Sequence, residues 1–397
     1  MKFRKILASL IVATMVMTGI TGCADEEIVM ESSVVNNENS TTSKTEETNG
    51  VSEEKSEESS EETRVIVDHT GAEVTIPAEL DRIVISSILP LPSVYCLFRN
   101  SAEDIVGIHP SSMAAAENSY LINVFPELSN ADTSFVENGE INIEQLLTLE
   151  PDVVFYGASN TDEREKYDNA GIPAIGFSTT MAGYDSVETY ADWIELFGEI
   201  YGESEAANEI IEAGRKSAEE ITTITDKIAP EDRPDVLILY QYSDGVIKTS
   251  GKGHFGQYWI SSGGGRNVAE ELDGGPEVNM EQIYQWDPDI ILITNFSPYL
   301  PEDLYNNSIE GHDWSNVTAV KNGQVYKFPL GMYRWYPPAS DTPLVLKWLA
   351  KTIQPELFAD LDMDKEIRDY YKEHYGVELT DEDIQEIYNP AREASGK

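Results

Sequence analysis

Residues 142–156 read NIEQLLTLEPDVVFY, and residues 279–293 read NMEQIYQWDPDIILI. The two stretches align without a gap. Asn, Glu, Gln, Pro and Asp recur in the same places, and almost every apolar position stays apolar. Each copy predicts one structural phrase. Asn142 and Asn279 are N-caps, with Gln145 and Gln282 three residues on, at capping-box spacing. Pro151 and Pro288 stop the helix, since proline cannot donate the next backbone hydrogen bond. Asp follows, then a short apolar run that reads as a buried strand. A chain that writes one helix–strand unit twice at this distance carries two equivalent α/β lobes. Glu144 and Glu281 fall in the first turn of each helix, where an acid favours the helix dipole by about 0.3–1 kcal/mol.

The rest of the chain fits this frame. RVIVDHTGAEVTI (64–76) predicts two short strands around a turn at Thr70–Gly71, and strands follow at Arg82–Ser86, Ile105–Ile108, Val153–Tyr156 and Ala174–Phe177. Strands separated by helical segments predict a largely parallel sheet. Residues 185–228 hold no proline and three glycines, with Trp193, Leu196, Phe197 and Ile200 near helical spacing. They predict one long helix, kinked at Gly198 or Gly202. The α/β rhythm restarts with strands at Val236–Tyr240, Ile290–Thr294 and Val325–Phe328, and helices at Phe255–Ser262 and Leu344–Thr352. Short helices close the acidic tail from Asp364, with Thr380–Asp383 at capping-box spacing.

The N-terminus is set apart. Lys2, Arg4 and Lys5 precede an apolar run from Ile6 to Met17, then Ile20-Thr21-Gly22-Cys23. This is the pattern of a secretory signal, too short to span a bilayer. A cysteine behind small residues is similar to the lipobox of bacterial lipoproteins, so Cys23 is the expected lipidation site and residues 1–22 the removed signal. Residues 24–63 carry thirteen acids against two lysines and predict a disordered, self-repelling tether. The whole chain has a net charge of −45. Its folded part stays acidic, which argues against nucleic acid or anionic lipid as a partner. Cys96, the other of two cysteines, reads as a small buried hydrophobe.

Taken together, the doubled N-x-E-x-L/I-x-x-x-x-P-D phrase, Thr249-Ser250-Gly251-Lys252, Gly264-Gly265-Arg266-Asn267-Val268, and WSNVTAVKNGQVYKF (314–328) behind a lipobox resemble the class III (cluster A) solute-binding proteins of bacterial ABC importers. Leu349-Ala350 with Pro355-Glu356-Leu357-Phe358 adds to the resemblance, which covers about residues 64–360. It implies an α/β architecture of two pseudo-symmetric lobes with largely parallel sheets (64–184 and 229–397), joined by one long rigid helix (185–228). It also implies a monomer anchored to the extracytoplasmic face of the cell membrane through its lipid alone. Its partner is an ABC permease dimer, which Glu144 and Glu281 dock against, one glutamate per lobe.

The ligand is expected in the cleft between the lobes. A ferric siderophore comes first, then cobalamin or haem, then an oxyanion such as molybdate or tungstate. The segment Tyr333-Arg334-Trp335-Tyr336 offers three aromatics around one guanidinium, whose fork of donors suits a carboxylate, phosphate or catecholate. Arg334 paired with an acid, over packed aromatics, is the structural alternative. Ser112 (within His109–Met113) and Phe135 are expected from the first lobe. Tyr240, Tyr242, Lys252, His254 and Phe255 are expected from the second. The five histidines are scattered without metal-ligand spacing, so a metal would arrive inside a chelate. No G-x-S-x-G elbow, zinc box or nucleotide loop occurs, and Gly263–Gly265 reads as a helix stop. A binding protein, not an enzyme, is expected.

Overall fold

The computed structural model describes residues 62–396. The signal segment, Cys23 and the tether up to residue 61 lie outside the described residues. Two four-stranded parallel sheets dominate. The first has the order Ile105–Ile108, Ile83–Ile85, Val153–Gly157, Ala174–Phe177. The second has the order Arg266–Asn267, Asp235–Leu239, Ile290–Ile293, Val325–Lys327. Numbered within its own lobe, each sheet runs 2-1-3-4. The pseudo-symmetry expected from the doubled phrase therefore extends to the whole sheet.

The phrase itself shows why. Asn142 Oδ1 accepts from the Gln145 N–H (3.2 Å) and Asn279 Oδ1 from the Gln282 N–H (2.9 Å). The helices Ile143–Thr148 and Met280–Trp286 then exit through a left-handed residue, Glu150 in one copy and Asp287 in the other. The aspartate after each proline ties strand three to strand one. Asp152 Oδ2 accepts from the Asp81 and Arg82 N–H groups, both at 2.8 Å. Asp289 Oδ2 accepts from the Asp235 N–H at 2.9 Å. The repeated Asp thus holds donors at the start of the neighbouring strand and fixes the parallel pairing.

The segment expected as one long helix is two. Ser186–Tyr201 ends at Gly202, in left-handed conformation (φ 69°), and Ser204–Thr225 follows. The break is a helix stop rather than a kink. Gly198 lets the pair close, because a Cβ there would sit 2.7 Å from the Ala207 Cβ. Ser204–Thr225 alone is the long element, lying against helix Thr342–Ile353 of the second lobe.

One hydrophobic cluster runs from Ile83 and Ile85 through Trp193 and Phe197 to Trp259, Trp335 and Leu349. Smaller clusters fill the outer face of each lobe. Cys96 is buried in helix Leu91–Arg99, where burial raises its thiol pKa.

The tail expected within the second lobe also joins the first. Helix Met363–Tyr375 sets Tyr371 against Tyr120 (ring centroids 5.8 Å apart) and Tyr375 against Phe125 (6.0 Å). Helix Asp381–Tyr388 starts with the expected capping box between Thr380 and Asp383. Among the described residues no helix is long and apolar enough to cross a membrane.

Candidate functional site

In open parallel sheets, ligands bind beyond the carboxyl ends of the strands, where the strand order reverses. Both 2-1-3-4 sheets present that end to one cavity of about 620 Å³. Ser87–Pro90 follow strand one of the first lobe, and Pro110 and Ser111 follow its strand two. Tyr240, Phe296 and Tyr333–Arg334 follow strands one, three and four of the second lobe.

Arg334 is the only charged side chain in the cavity wall among the described residues. It is 3% exposed. Its guanidinium lies over the Phe296 ring at 4.8 Å and beside the Tyr333 ring at 5.7 Å. Nη2 donates to the Ala394 carbonyl at 2.8 Å, while Nε is buried with no partner. The Tyr333 hydroxyl is also buried beside Arg334, and no acceptor takes its proton. The expected alternative, an arginine neutralised by one of the many acids, is not what the wall contains. A buried cation normally keeps a counter-ion, and buried donors normally find acceptors. An arginine and a phenol with unused donors in a cavity wall are groups that an anion would complete.

The loop carrying them is fixed from several sides. Asp341 is fully buried, and its Oδ2 accepts from the Met332 N–H (2.6 Å) and the Trp335 indole N–H (2.9 Å). Gly331, at φ 56°, is required here, since a Cβ would fall 2.1 Å from that oxygen. From the first lobe, the Tyr120 N–H donates to the Gly331 carbonyl (2.8 Å) and Ser119 Oγ to the Met332 carbonyl (3.0 Å). Burial pushes the Asp341 carboxyl up to about 7, against the pull of its hydrogen bonds. The folded protein therefore keeps a proton that the unfolded chain loses above pH 4, so this group's contribution falls as pH rises from about 4 to 7. Burial holds His254 down at about 4, with the opposite slope over the same range. Comparing Asp341→Asn with wild type isolates the carboxyl. The variant's relative stability is expected to rise by a few kcal/mol between pH 4 and 7 in thermal unfolding. A flat difference would show that the carboxyl stays ionised.

Lys327, 9% exposed, donates through Nζ to the Thr294, Ser297 and Tyr299 carbonyls at 2.9, 2.6 and 3.0 Å. It pins the loop that presents Phe296. Burial and the nearby Arg392 and Arg334 charges lower its pKa to about 7.

Of the residues expected in the cleft, Arg334, Tyr333, Tyr240 and Phe255 line the cavity. The others do not. Trp335 is core, bonded to Asp341 and packed on Trp348. Tyr336 lies one layer down, its hydroxyl meeting Ser250 Oγ and His254 Nδ1 beneath Tyr240. His254 is held in that network and stacks on Tyr184. Tyr242 belongs to the outer cluster of the second lobe, bonded to His312 and Trp314. Phe135 belongs to the outer cluster of the first lobe, under Gly107. Lys252 pairs with Asp273 at the surface (3.5 Å). Ser112 is buried and donates to the Leu89 carbonyl (2.9 Å), leaving Ser111 in the wall. The aromatic run changes direction midway, so Tyr333–Arg334 face the cavity while Trp335–Tyr336 face the core. Phe296 and Ser395–Gly396 were not expected; no motif marks them.

Glu144 and Glu281 are exposed in the first turns of the matched helices. One turn on, Leu147 and Tyr284 occupy equivalent positions and are 47% and 44% exposed. Each lobe therefore shows the same acid with a large apolar neighbour. Among the described residues, no three His, Cys, Asp or Glu side chains gather as a metal site.

Residues 94–330 match the periplasmic binding protein family. The molybdate-binding protein MolA of Haemophilus influenzae is 27% identical over 79% of this chain and 91% of its own length. The Fe(3+)-citrate-binding protein YfmC of Bacillus subtilis is 25% identical, over 67% and 78%. A solved periplasmic solute binding protein from Veillonella parvula is 34% identical, with a TM-score of 0.74 over 83% of this chain and 97% of the other.

Proposed function

The chain belongs to the periplasmic binding protein family, and from that premise we propose that it is the substrate-binding component of an ABC importer for a small anionic ligand. One observation carries the ligand class: in a chain of 72 acids and 27 bases, the cavity wall holds one buried arginine and, among the described residues, no carboxylate. Arg334 Nε and the Tyr333 hydroxyl supply the unused donors. The protein captures and releases its ligand without chemical change. This supports a tetrahedral oxyanion such as molybdate ahead of the ferric siderophore that the sequence placed first. The family resemblance and the paired exposed acids support docking of Glu144 and Glu281 on the two permease subunits. The segment Lys2–Cys23 supports a lipid anchor at Cys23.

A second reading, an anionic ferric chelate such as ferric citrate, has its own support. Five aromatic side chains line the cavity (Trp193, Tyr240, Phe255, Phe296 and Tyr333), and its volume exceeds that of a bare oxyanion. A thermal-shift screen separates the two. Molybdate, tungstate, ferric citrate, a ferric hydroxamate, haem and cobalamin are each added to the purified protein. A ligand at a hundred times its Kd stabilises the folded state by about 2.7 kcal/mol and raises Tm by several degrees. Molybdate or tungstate is expected to give the shift. A shift with neutral cobalamin alone would overturn the anionic reading.

A further inference from the structure

The wall of the cavity beside Arg334 is built by a segment outside both sheets. After helix Asp381–Tyr388 the chain forms a single turn, Arg392–Ser395, followed by Gly396 at φ 72°. Arg392 anchors this turn to the second lobe with a two-pronged pair to Asp303 (2.6 and 2.9 Å) and a bond to the Pro298 carbonyl (3.1 Å). On its other side the turn packs against helix Pro110–Glu117 of the first lobe. Ala394 is buried, and Ser395 and Gly396 line the cavity.

The turn also occupies part of the guanidinium. Where arginines of this chain grip carboxylates side-on, they use Nε and Nη2 together, as Arg215 does on Glu188 and Arg266 on Asp235. In Arg334 the Ala394 carbonyl takes Nη2 and leaves Nε open. The strap thus bridges the lobes, narrows the cavity and holds one half of that fork.

We propose that residues 391–396 are a specificity-determining strap: they fix Arg334 and cap the cavity so that it admits a small oxyanion and excludes larger anionic chelates. This rests on the anionic reading of the site. The geometry sets the discrimination. A compact anion needs only the Nε side and the Tyr333 hydroxyl, whereas a bulky chelate needs the volume that Ser395 and Gly396 occupy.

The test is a titration of sodium molybdate and ferric citrate by calorimetry into three proteins: the full chain, a form lacking residues 391–397, and Arg392→Ala, which removes only the anchor. The full chain is expected to prefer molybdate by at least tenfold. Deleting the strap is expected to reduce that preference at least tenfold, by weakening molybdate and admitting ferric citrate. Arg392→Ala should move it in the same direction by a smaller factor, and it decides the matter if the deletion does not fold. An unchanged preference in a folded variant overturns the strap's role. So does tighter binding of ferric citrate than molybdate by the full chain, and both results leave an anion site standing. Binding of neither probe to the full chain overturns the anionic reading and the strap with it.

Discussion

Arg334→Met should weaken ligand binding at least about thirtyfold while leaving the unliganded protein as stable as wild type, or more so. Truncating one member of a buried, hydrogen-bonded charge pair costs about 2–5 kcal/mol, at about 1.4 kcal/mol per tenfold in Kd. The expected loss is therefore between about thirtyfold and several thousandfold. The stability half of the result is the informative half. In the unliganded protein the guanidinium is desolvated, has no carboxylate in the cavity wall and leaves Nε unbonded. Removing such a charge relieves a desolvation cost, and methionine fills most of the same space beside Phe296. A structural arginine would behave in the opposite way, with a large drop in Tm. A binding-site arginine trades stability for function. Calorimetric titration and thermal unfolding on the same samples separate the two. Retained affinity would sink the assignment.

The second large effect is on transport. The double variant Glu144→Ala, Glu281→Ala should bind ligand like wild type and fail to support uptake in cells. Both carboxylates are exposed, and neither is in the cavity wall. Their one structural service is to the dipole of a short helix, worth about 0.3–1 kcal/mol each. Affinity and Tm should thus change little. Exposed charges at an interface rim steer encounter and set register. Equivalent positions in two pseudo-symmetric lobes suit a two-subunit permease. Each single variant should retain partial uptake, because one contact still orients the complex. Wild-type uptake by the double variant would remove these residues from docking.

Much of the fold was legible because its signals are local. Asn caps, proline stops and β-branched runs fixed the strands and the matched helices, and helix Phe255–Ser262 fell on its predicted bounds. The length of the helix over 185–228 was misread because Gly202 can kink a helix or end one. Only its left-handed φ decides between these. The site was half legible. A stiff aromatic run around Arg334 marks a candidate, but which side chains face the cleft depends on the backbone path from Gly331 to Asp341. Trp335 and Tyr336 turned inward because Asp341 and Ser250 wait there with acceptors. Tyr242 and Phe135 looked available at strand ends, yet both sit on the outer faces of their lobes. The strap had no signal at all. Arg392 finds Asp303 across 89 residues of sequence, and nothing local announces such a pair.

The apolar cluster shared by both lobes has a thermodynamic consequence. Cooperativity follows contiguity: a body opens in stages only where its buried contacts thin out. Here Trp193 and Phe197 belong to the same cluster as Trp259 and Trp335, and the described residues 62–396 fall within one compact unit. A cluster continuous across both halves couples their melting, so one half is not expected to open and leave the other intact. Free energy gained where the ligand binds is therefore distributed, slowing amide exchange in strands far from the cleft in both halves of the molecule.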